Sequence, residues 1–318
     1  MNDTVLYIVV PCYNEQEVLR ETAKRLTDKL LRMTAQGLCS SDSRIMFVDD
    51  GSRDSTWSII SELHESGDMI CGLKLAHNRG HQNALWAGLM TACDRSDCVI
   101  SIDADLQDDI EVLDEFVRKF DSGCDIVYGV RSSRKKDTFF KRTSAQGFYK
   151  FMRLMGAEVI YNHADYRLMS KRAVKALSEY GETNLFLRGM VPDLGFKSDT
   201  VPYERHERFA GTSKYPLKKM ISFAVDGITS FSVKPLKIIS NAGILISVLS
   251  VFGLLYALIS KLCYPASTVP GWTAIVASIW LIGGIQLFCL GIIGEYVGKI
   301  FSEVKHRPKF IAEEILLK

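Results

Sequence analysis

Asp103-Ala104-Asp105-Leu106-Gln107 follows directly on the apolar run Cys98-Val99-Ile100-Ser101-Ile102. Two carboxylates one residue apart, at the carboxyl end of a buried strand, offer oxygen ligands to a hard cation. Mg²⁺ or Mn²⁺ commonly bridges such carboxylates to a substrate diphosphate. A second acidic group, Val48-Asp49-Asp50-Gly51-Ser52, ends an earlier apolar run. Around these stretches strand-like and helix-like patterns alternate. Strands are predicted over residues 6–10, 45–48, 72–75, 99–102 and 126–129. Leu19, Ala23, Leu26, Leu30 and Met33 recur at spacings of four and three, which marks one face of a helix. Residues 56–63, 84–92 and 112–120 read the same way. Alternating units of this kind build an α/β, Rossmann-like fold with a mainly parallel sheet and helices on both sides. Ligands in such sheets bind outside the carboxyl ends of the strands, where both acidic groups fall.

A dinucleotide-binding enzyme needs Gly-x-Gly-x-x-Gly after its first strand so that the backbone can approach a pyrophosphate. Here the first strand runs into Pro11-Cys12-Tyr13-Asn14-Glu15, without glycine, and no P-loop pattern occurs. A net charge of +2 on 318 residues gives no bulk electrostatic case for nucleic acid. The eight cysteines form no CxxC pair and read as buried free thiols in a reducing compartment. The N-terminus has neither a basic region nor a long apolar stretch, so no signal peptide is expected.

The composition changes near Val233. Residues 238–260 and 272–297 are almost continuously apolar, and each run exceeds the roughly 20 residues needed to cross a bilayer as a helix. Lys234 and Lys237 precede the first run; Lys299, Lys305, Arg307 and Lys309 follow the second; the loop between carries only Lys261. That asymmetry predicts a multi-pass membrane protein with both termini cytoplasmic, and Trp272 fits an interfacial anchor. Two further segments read as basic amphipathic helices for a membrane surface. One carries Leu217, Ile221, Ala224, Ile228 and Phe231 beside Lys214, Lys218 and Lys219; the other, residues 135–155, mixes aromatic and basic residues. In the second apolar run Gly283, Gly284, Gly291, Gly294 and Gly298 permit close helix approach, either between the two spans or in a homo-oligomer supported by Gln286.

Val9-Val10-Pro11-Cys12-Tyr13-Asn14-Glu15, Val48-Asp49-Asp50-Gly51-Ser52 and Asp103-Ala104-Asp105-Leu106-Gln107-Asp108, taken in order, resemble the successive signatures of glycosyltransferase family 2. Asn162-His163-Ala164-Asp165-Tyr166-Arg167-Leu168, Phe186-Leu187-Arg188-Gly189, Arg208-Phe209-Ala210-Gly211-Thr212-Ser213-Lys214-Tyr215 and Gly294-Glu295-Tyr296-Val297-Gly298 before Lys305-His306-Arg307-Pro308 resemble its polyprenyl-phosphate branch, over nearly the whole chain. One departure is Asp108-Asp109 where many relatives have proline; no effect on ligation is expected.

The resemblance implies a GT-A catalytic domain over residues 1–213, an amphipathic juxtamembrane helix over 214–232, a two-helix transmembrane domain over 233–298 and a cytoplasmic tail over 299–318. It implies metal-dependent, inverting transfer of a hexose, glucose first, from a UDP-sugar to undecaprenyl phosphate at the cytoplasmic membrane face. Asp105 is the expected direct ligand of Mg²⁺ or Mn²⁺. Asp103 shares the metal or contacts ribose through water, and Gln107 resembles a third oxygen ligand. Asp49 and Asp50 are expected to read the nucleotide, with Pro11, Tyr13 and Glu15 lining base and ribose. The turn 77–83 faces the nucleotide phosphates, His81 within it being expected to be structural. Asp165 stands beside the reacting carbon, where it orients a substrate or stabilises positive character; a salt bridge to Arg167 is its other reading. An acceptor phosphate is already charged, so no strong base is required. Arg131, Arg134, Arg208 and Lys214 are candidates for the lipid phosphate, since guanidinium forks suit phosphate oxygens. A GDP-mannose-using dolichyl-phosphate synthase shares this chemistry. A processive polysaccharide synthase would carry Gln-x-x-Arg-Trp, which is missing. A non-enzymatic membrane scaffold or lipid transporter is the alternative of another class.

Overall fold

The computed structural model describes residues 3–132, 163–183, 185–205 and 272–318, with helical positions 234, 236–239, 241, 245, 248 and 252. Strand β1, Leu6–Cys12, is buried along its whole length. Leu6, Ile8, Val10 and Cys12 enter one core, and Tyr7 and Val9 enter another on the opposite face. A strand covered on both faces reads as a continuous apolar run rather than an alternating one. The other strands are β2 (Arg44–Asp49), β3 (Ile70–Leu75), β4 (Cys98–Ser101), β5 (Ile126–Arg131), β6 (His163–Ser170), β7 (Ser198–Tyr203) and β8 (Ala312–Leu316). They form one sheet in the order β7-β5-β6-β4-β1-β2-β3-β8. The pairs β1–β2, β1–β4, β2–β3 and β5–β7 are parallel. Those of β4–β6, β5–β6 and β3–β8 are antiparallel. The architecture is GT-A-like α/β with a mostly parallel sheet.

Helix α1, Leu19–Ala35, buries Leu19, Ala23, Leu26, Leu30 and Met33, the predicted face. It shares one side of the sheet with α2 (Thr56–Ser66) and α4 (Leu113–Asp121), through Ile59, Ile60, Leu113, Phe116 and Val117. The other side is covered by α3 (His81–Cys93), α5 (Lys171–Ser178) and α6 (Leu187–Asp193). Gly88 of α3 lies so close to the sheet that a Cβ would stand 2.4 Å from Val9 Cγ1. The helix predicted over 112–120 divides into a 3₁₀ turn, Ile110–Val112, and α4. Cys12, Cys39, Cys71, Cys93, Cys98 and Cys124 are buried free thiols.

The sequence reading missed β6, β7 and β8. Strand β6 places Asp165 and Arg167 inside the protein, so its polarity hides a buried strand. Strand β8, with Glu313 and Glu314, reads as a charged tail. Helix α7 runs Trp272–Val304, past residue 298, and residues 312–316 return to the sheet beside β3. Ion pairing from Glu313 to Lys74 at 3.0 Å and a hydrogen bond from Trp57 Nε1 to Glu314 at 3.0 Å hold that edge.

Within α7, Ile285–Val304 is the one candidate membrane span among the described residues, with mean hydropathy 1.3 and none of it buried. Most of the first apolar run, and both amphipathic segments, lie outside the described residues. Its described positions Ile238, Leu245, Val248 and Phe252 are helical and exposed.

Below the sheet edge, buried Asp125 accepts from Ser170 Oγ at 2.8 Å and from both arms of the Arg172 guanidinium. Hydrogen bonding from Arg172 holds its carboxyl below the ordinary value of 3.8. Its stabilising effect is therefore complete above that value and disappears as pH falls through the lower, folded-state pKa. Asp125→Asn is expected to cost about 1–3 kcal/mol near neutrality. Thermal denaturation across pH should show the gap to the wild type closing only in acid.

Candidate active site

The carboxyl ends of β1, β2 and β4 meet on one edge of the sheet, and each turns sharply there. Asn14, after β1, and Leu106, after β4, both take left-handed backbone conformations, with φ of 54° and 56°. Non-glycine residues pay about 1–3 kcal/mol for this and keep it only where the surroundings impose it. The turn at Leu106 separates Asp105 from Gln107 and points the two peptides differently from the strand.

At the end of β2, Asp49 is fully buried; Oδ1 accepts from the Ser52 backbone N–H at 3.2 Å, while Oδ2 has no partner. Burial pushes its pKa up, and the bonds from Ser52 oppose this. Asp50 is different. Its two oxygens accept from the backbone N–H groups of Arg79 at 2.7 Å and Gly80 at 2.9 Å. It therefore fixes the loop between β3 and α3. Gly51, at φ +65°, lets this loop close in: a Cβ would lie 2.6 Å from Asn78 N and 2.7 Å from His77 C. Gly51→Ala is expected to cost about 1–3 kcal/mol, measured by thermal denaturation.

A cleft of about 310 Å³ opens beside this turn, lined by Tyr13, Gly51, Ser52, Arg53, Lys74 and His77 among others. Tyr13 is 38% exposed and presents its ring there. Pro11 is buried in β1, and the Glu15 backbone N–H donates to Thr56 Oγ1 at 3.0 Å.

At the end of β4 the Asp103 side chain is 43% exposed, and Asp105 is buried. Asp105 Oδ1 accepts from the Gln107 N–H at 3.2 Å, and Gln107 Oε1 accepts from the Arg205 guanidinium. Asp108 is buried and accepts from Tyr203 Oη at 2.6 Å. Burial first, then Asp103, raises its pKa to about 6. Asp109 caps the following 3₁₀ turn by accepting from Glu111 N at 2.9 Å. The departure at 108–109 thus serves packing beneath the site. Arg131 Nε donates to Tyr203 Oη at 3.2 Å, and its Nη2 lies 4.0 Å from Asp108 Oδ1. Arg134, Arg208 and Lys214 lie outside the described residues.

Strand β6 brings Asp165 to the same edge. Its carboxylate meets the Arg167 guanidinium, accepts from Arg188 Nη2 at 3.0 Å, and accepts from Gln82 Nε2 at 3.3 Å. Burial alone would favour the protonated acid. Arg188, His81 and Arg167 together outweigh it and hold the pKa well below the carboxylate range. Asp165 is thus salt-bridged to Arg167, its other reading, and lies at the strand ends. His81 Nε2 lies 3.7 Å from Asp103 Oδ1 and 3.6 Å from Asp165 Oδ2. This joins the two acidic residues. Gln82 and Arg188 were missed as site residues. Phe186-Leu187-Arg188-Gly189 was the only signal for Arg188, while no local pattern distinguishes Gln82.

Residues 7–178 match Glycosyl transferase family 2, and residues 234–300 match the GtrB C-terminal hairpin. The chain belongs to glycosyltransferase family 2. It is 56% identical over 306 residues to the uncharacterized glycosyltransferase YkoT of Bacillus subtilis (strain 168), covering 96% of this chain and 90% of that one. It is 37% identical over 305 residues to the bactoprenol glucosyl transferase of Shigella phage SfV, covering 96% of each.

In this glycosyltransferase no group of three or more His, Cys, Asp or Glu side chains forms a metal cage among the described residues. Mg²⁺ typically uses one or two carboxylates and completes its shell with water and substrate phosphates. The hard oxygens of Asp103 and Asp105, one of them open to solvent, fit a cation held in that shared way.

Proposed function

We propose that this glycosyltransferase moves a hexose, glucose first, from a UDP-sugar to undecaprenyl phosphate at the cytoplasmic face of the membrane, with inversion at the anomeric carbon. The reading is carried by the likeness to the bactoprenol glucosyl transferase of Shigella phage SfV along 96% of both chains. Residues 234–300, including the exposed apolar surface of α7, anchor the enzyme as two spans with both termini cytoplasmic.

Tyr13 supplies the flat surface for the uracil ring, and the unpaired Asp49 Oδ2 accepts its imide N–H. Asp50 holds the loop that closes over the nucleotide. Asp105, Asp103 and Gln107 would hold Mg²⁺ or Mn²⁺, the Gln107 backbone N–H closing the turn onto Asp105. When bound, such a cation stabilises the charge developing on the departing nucleoside diphosphate. Asp165 stays ionised and faces His81, so it orients the sugar or acceptor and favours positive character at the anomeric carbon. It is too weak a base to take a proton, and an ionised phosphate acceptor does not need one. Arg131 stands at the same sheet edge for the acceptor phosphate, together with Arg134, Arg208 and Lys214 from outside the described residues.

Incubation of the full-length protein with undecaprenyl phosphate, Mg²⁺ or Mn²⁺, and radiolabelled UDP-glucose or GDP-mannose tests this. Label should enter the lipid extract from UDP-glucose and disappear on chelation. Transfer only from GDP-mannose, or full transfer after exhaustive chelation, refutes the reading.

A further inference from the structure

A second cleft, of about 250 Å³, lies where the end of α7 meets the start of α3. Arg79, Asn83, Phe301, Lys305, Arg307 and Lys309 line it. Lys309 is already engaged: its ammonium donates to Tyr180 O at 2.7 Å and sits 3.6 Å over the Trp86 ring. Burial lowers its pKa, against the pull of Glu182 and Glu303. The other three cations have no ion pair among the described residues. Lys305 only covers the Phe301 ring, at 3.9 Å. Arg79 Nε is buried with no hydrogen-bond partner. Glu303, an acid of the same turn of α7, is directed to the Thr183 N–H at 2.6 Å.

Unpartnered cations around a buried, unsatisfied guanidinium nitrogen call for an anion with several acceptor oxygens. Phosphate is that chemistry, and two sources carry it: a lipid headgroup and a nucleotide. Position favours the lipid. Exposed Ile300, Phe301 and Val304 close the apolar stretch of α7, and Lys305 and Arg307 follow at once. Basic pockets at the cytoplasmic foot of membrane helices take anionic headgroups.

We propose that Arg79, Lys305 and Arg307 bind the phosphate of an anionic phospholipid headgroup and thereby tie membrane contact to the active site. The link is Arg79. Its side chain enters this cleft, while its backbone N–H is held by Asp50. It also precedes the turn carrying His81 and Gln82, which face Asp165. The proposal rests on the membrane reading given above.

The test uses delipidated full-length protein in neutral detergent, titrated with phosphatidylglycerol or phosphatidylcholine and followed by native mass spectrometry. UDP affinity is measured by calorimetry on the same samples. Phosphatidylglycerol should bind in preference to phosphatidylcholine. Lys305→Gln with Arg307→Gln should weaken its binding about tenfold per cation removed and leave UDP affinity unchanged. Both side chains are exposed, so matching thermal denaturation confirms the fold. Sugar transfer in phosphatidylglycerol–phosphatidylcholine nanodiscs should exceed that in phosphatidylcholine alone, and the double variant should lose the difference. Unchanged phosphatidylglycerol binding in the variant overturns the proposal, as does a fall in UDP affinity, which would assign the anion to the nucleotide. Absence of all sugar transfer by the wild type, with selective phosphatidylglycerol binding intact, counts against the transferase reading and not against this pocket.

Discussion

Asp105→Ala is expected to reduce sugar transfer about a thousandfold, or about 4 kcal/mol at ~1.4 kcal/mol per factor of ten, while the protein stays folded. Asp105 lies in the turn after β4, buried but outside the apolar core. Among its contacts, Oδ1 accepts from the Gln107 N–H at 3.2 Å and closes a local turn. Losing one such bond costs about 1 kcal/mol. Losing a carboxylate that holds the cation removes charge stabilisation where the nucleoside diphosphate departs. Asp103→Ala should fall in the same direction by less, because half of its role is shared. Initial transfer rates, set beside circular dichroism and thermal denaturation, separate the two effects. A variant with near-wild-type turnover would rule out the acidic pair as the cation site.

Asp165→Ala should fail in both respects. Its carboxylate is the ionic partner of Arg167, which is only 2% exposed, and it also accepts from Arg188. Removing one member of a buried pair leaves the other charge uncompensated, at about 3–5 kcal/mol. A drop in melting temperature should therefore accompany the loss of transfer. Arg188→Gln discriminates. Arg188 is 31% exposed, and its removal leaves the Arg167–Asp165 pair in place. Stability should fall by less than in Asp165→Ala, because the Arg167 pair still compensates the buried carboxylate, yet transfer should still fall. Equal stability losses in both variants would reduce Asp165 to a folding element. The pH dependence has a definite sign. Arg188, His81 and Arg167 overcome burial to depress the Asp165 pKa, so its contribution is complete above the ordinary carboxylate value of 3.8. It is lost only as pH falls through the lower folded value.

The alternation of apolar strands and 3.6-period helices was enough to establish the α/β class, because each strand covered on both faces must be apolar throughout. The spacing from Leu19 to Met33 marked the buried side of α1 for the same reason. The acidic pairs were legible because parallel topology sends the ends of β2 and β4 to one edge. Partnership was not legible. No local pattern distinguishes Asp49, with an unpaired oxygen, from Asp50, whose two oxygens clamp residues 79 and 80. Nor does the sequence bring His81 against Asp103 and Asp165, or Arg188 against Asp165, since these residues belong to different elements. Strand β6 escaped notice because its buried charges neutralise one another only after folding. Strand β8 escaped because an edge strand with one outward face carries the composition of a tail. Periodicity records which residues leave water, and a single chain shows it. Which charge compensates which depends on long-range approach, and that exists only in the folded sheet.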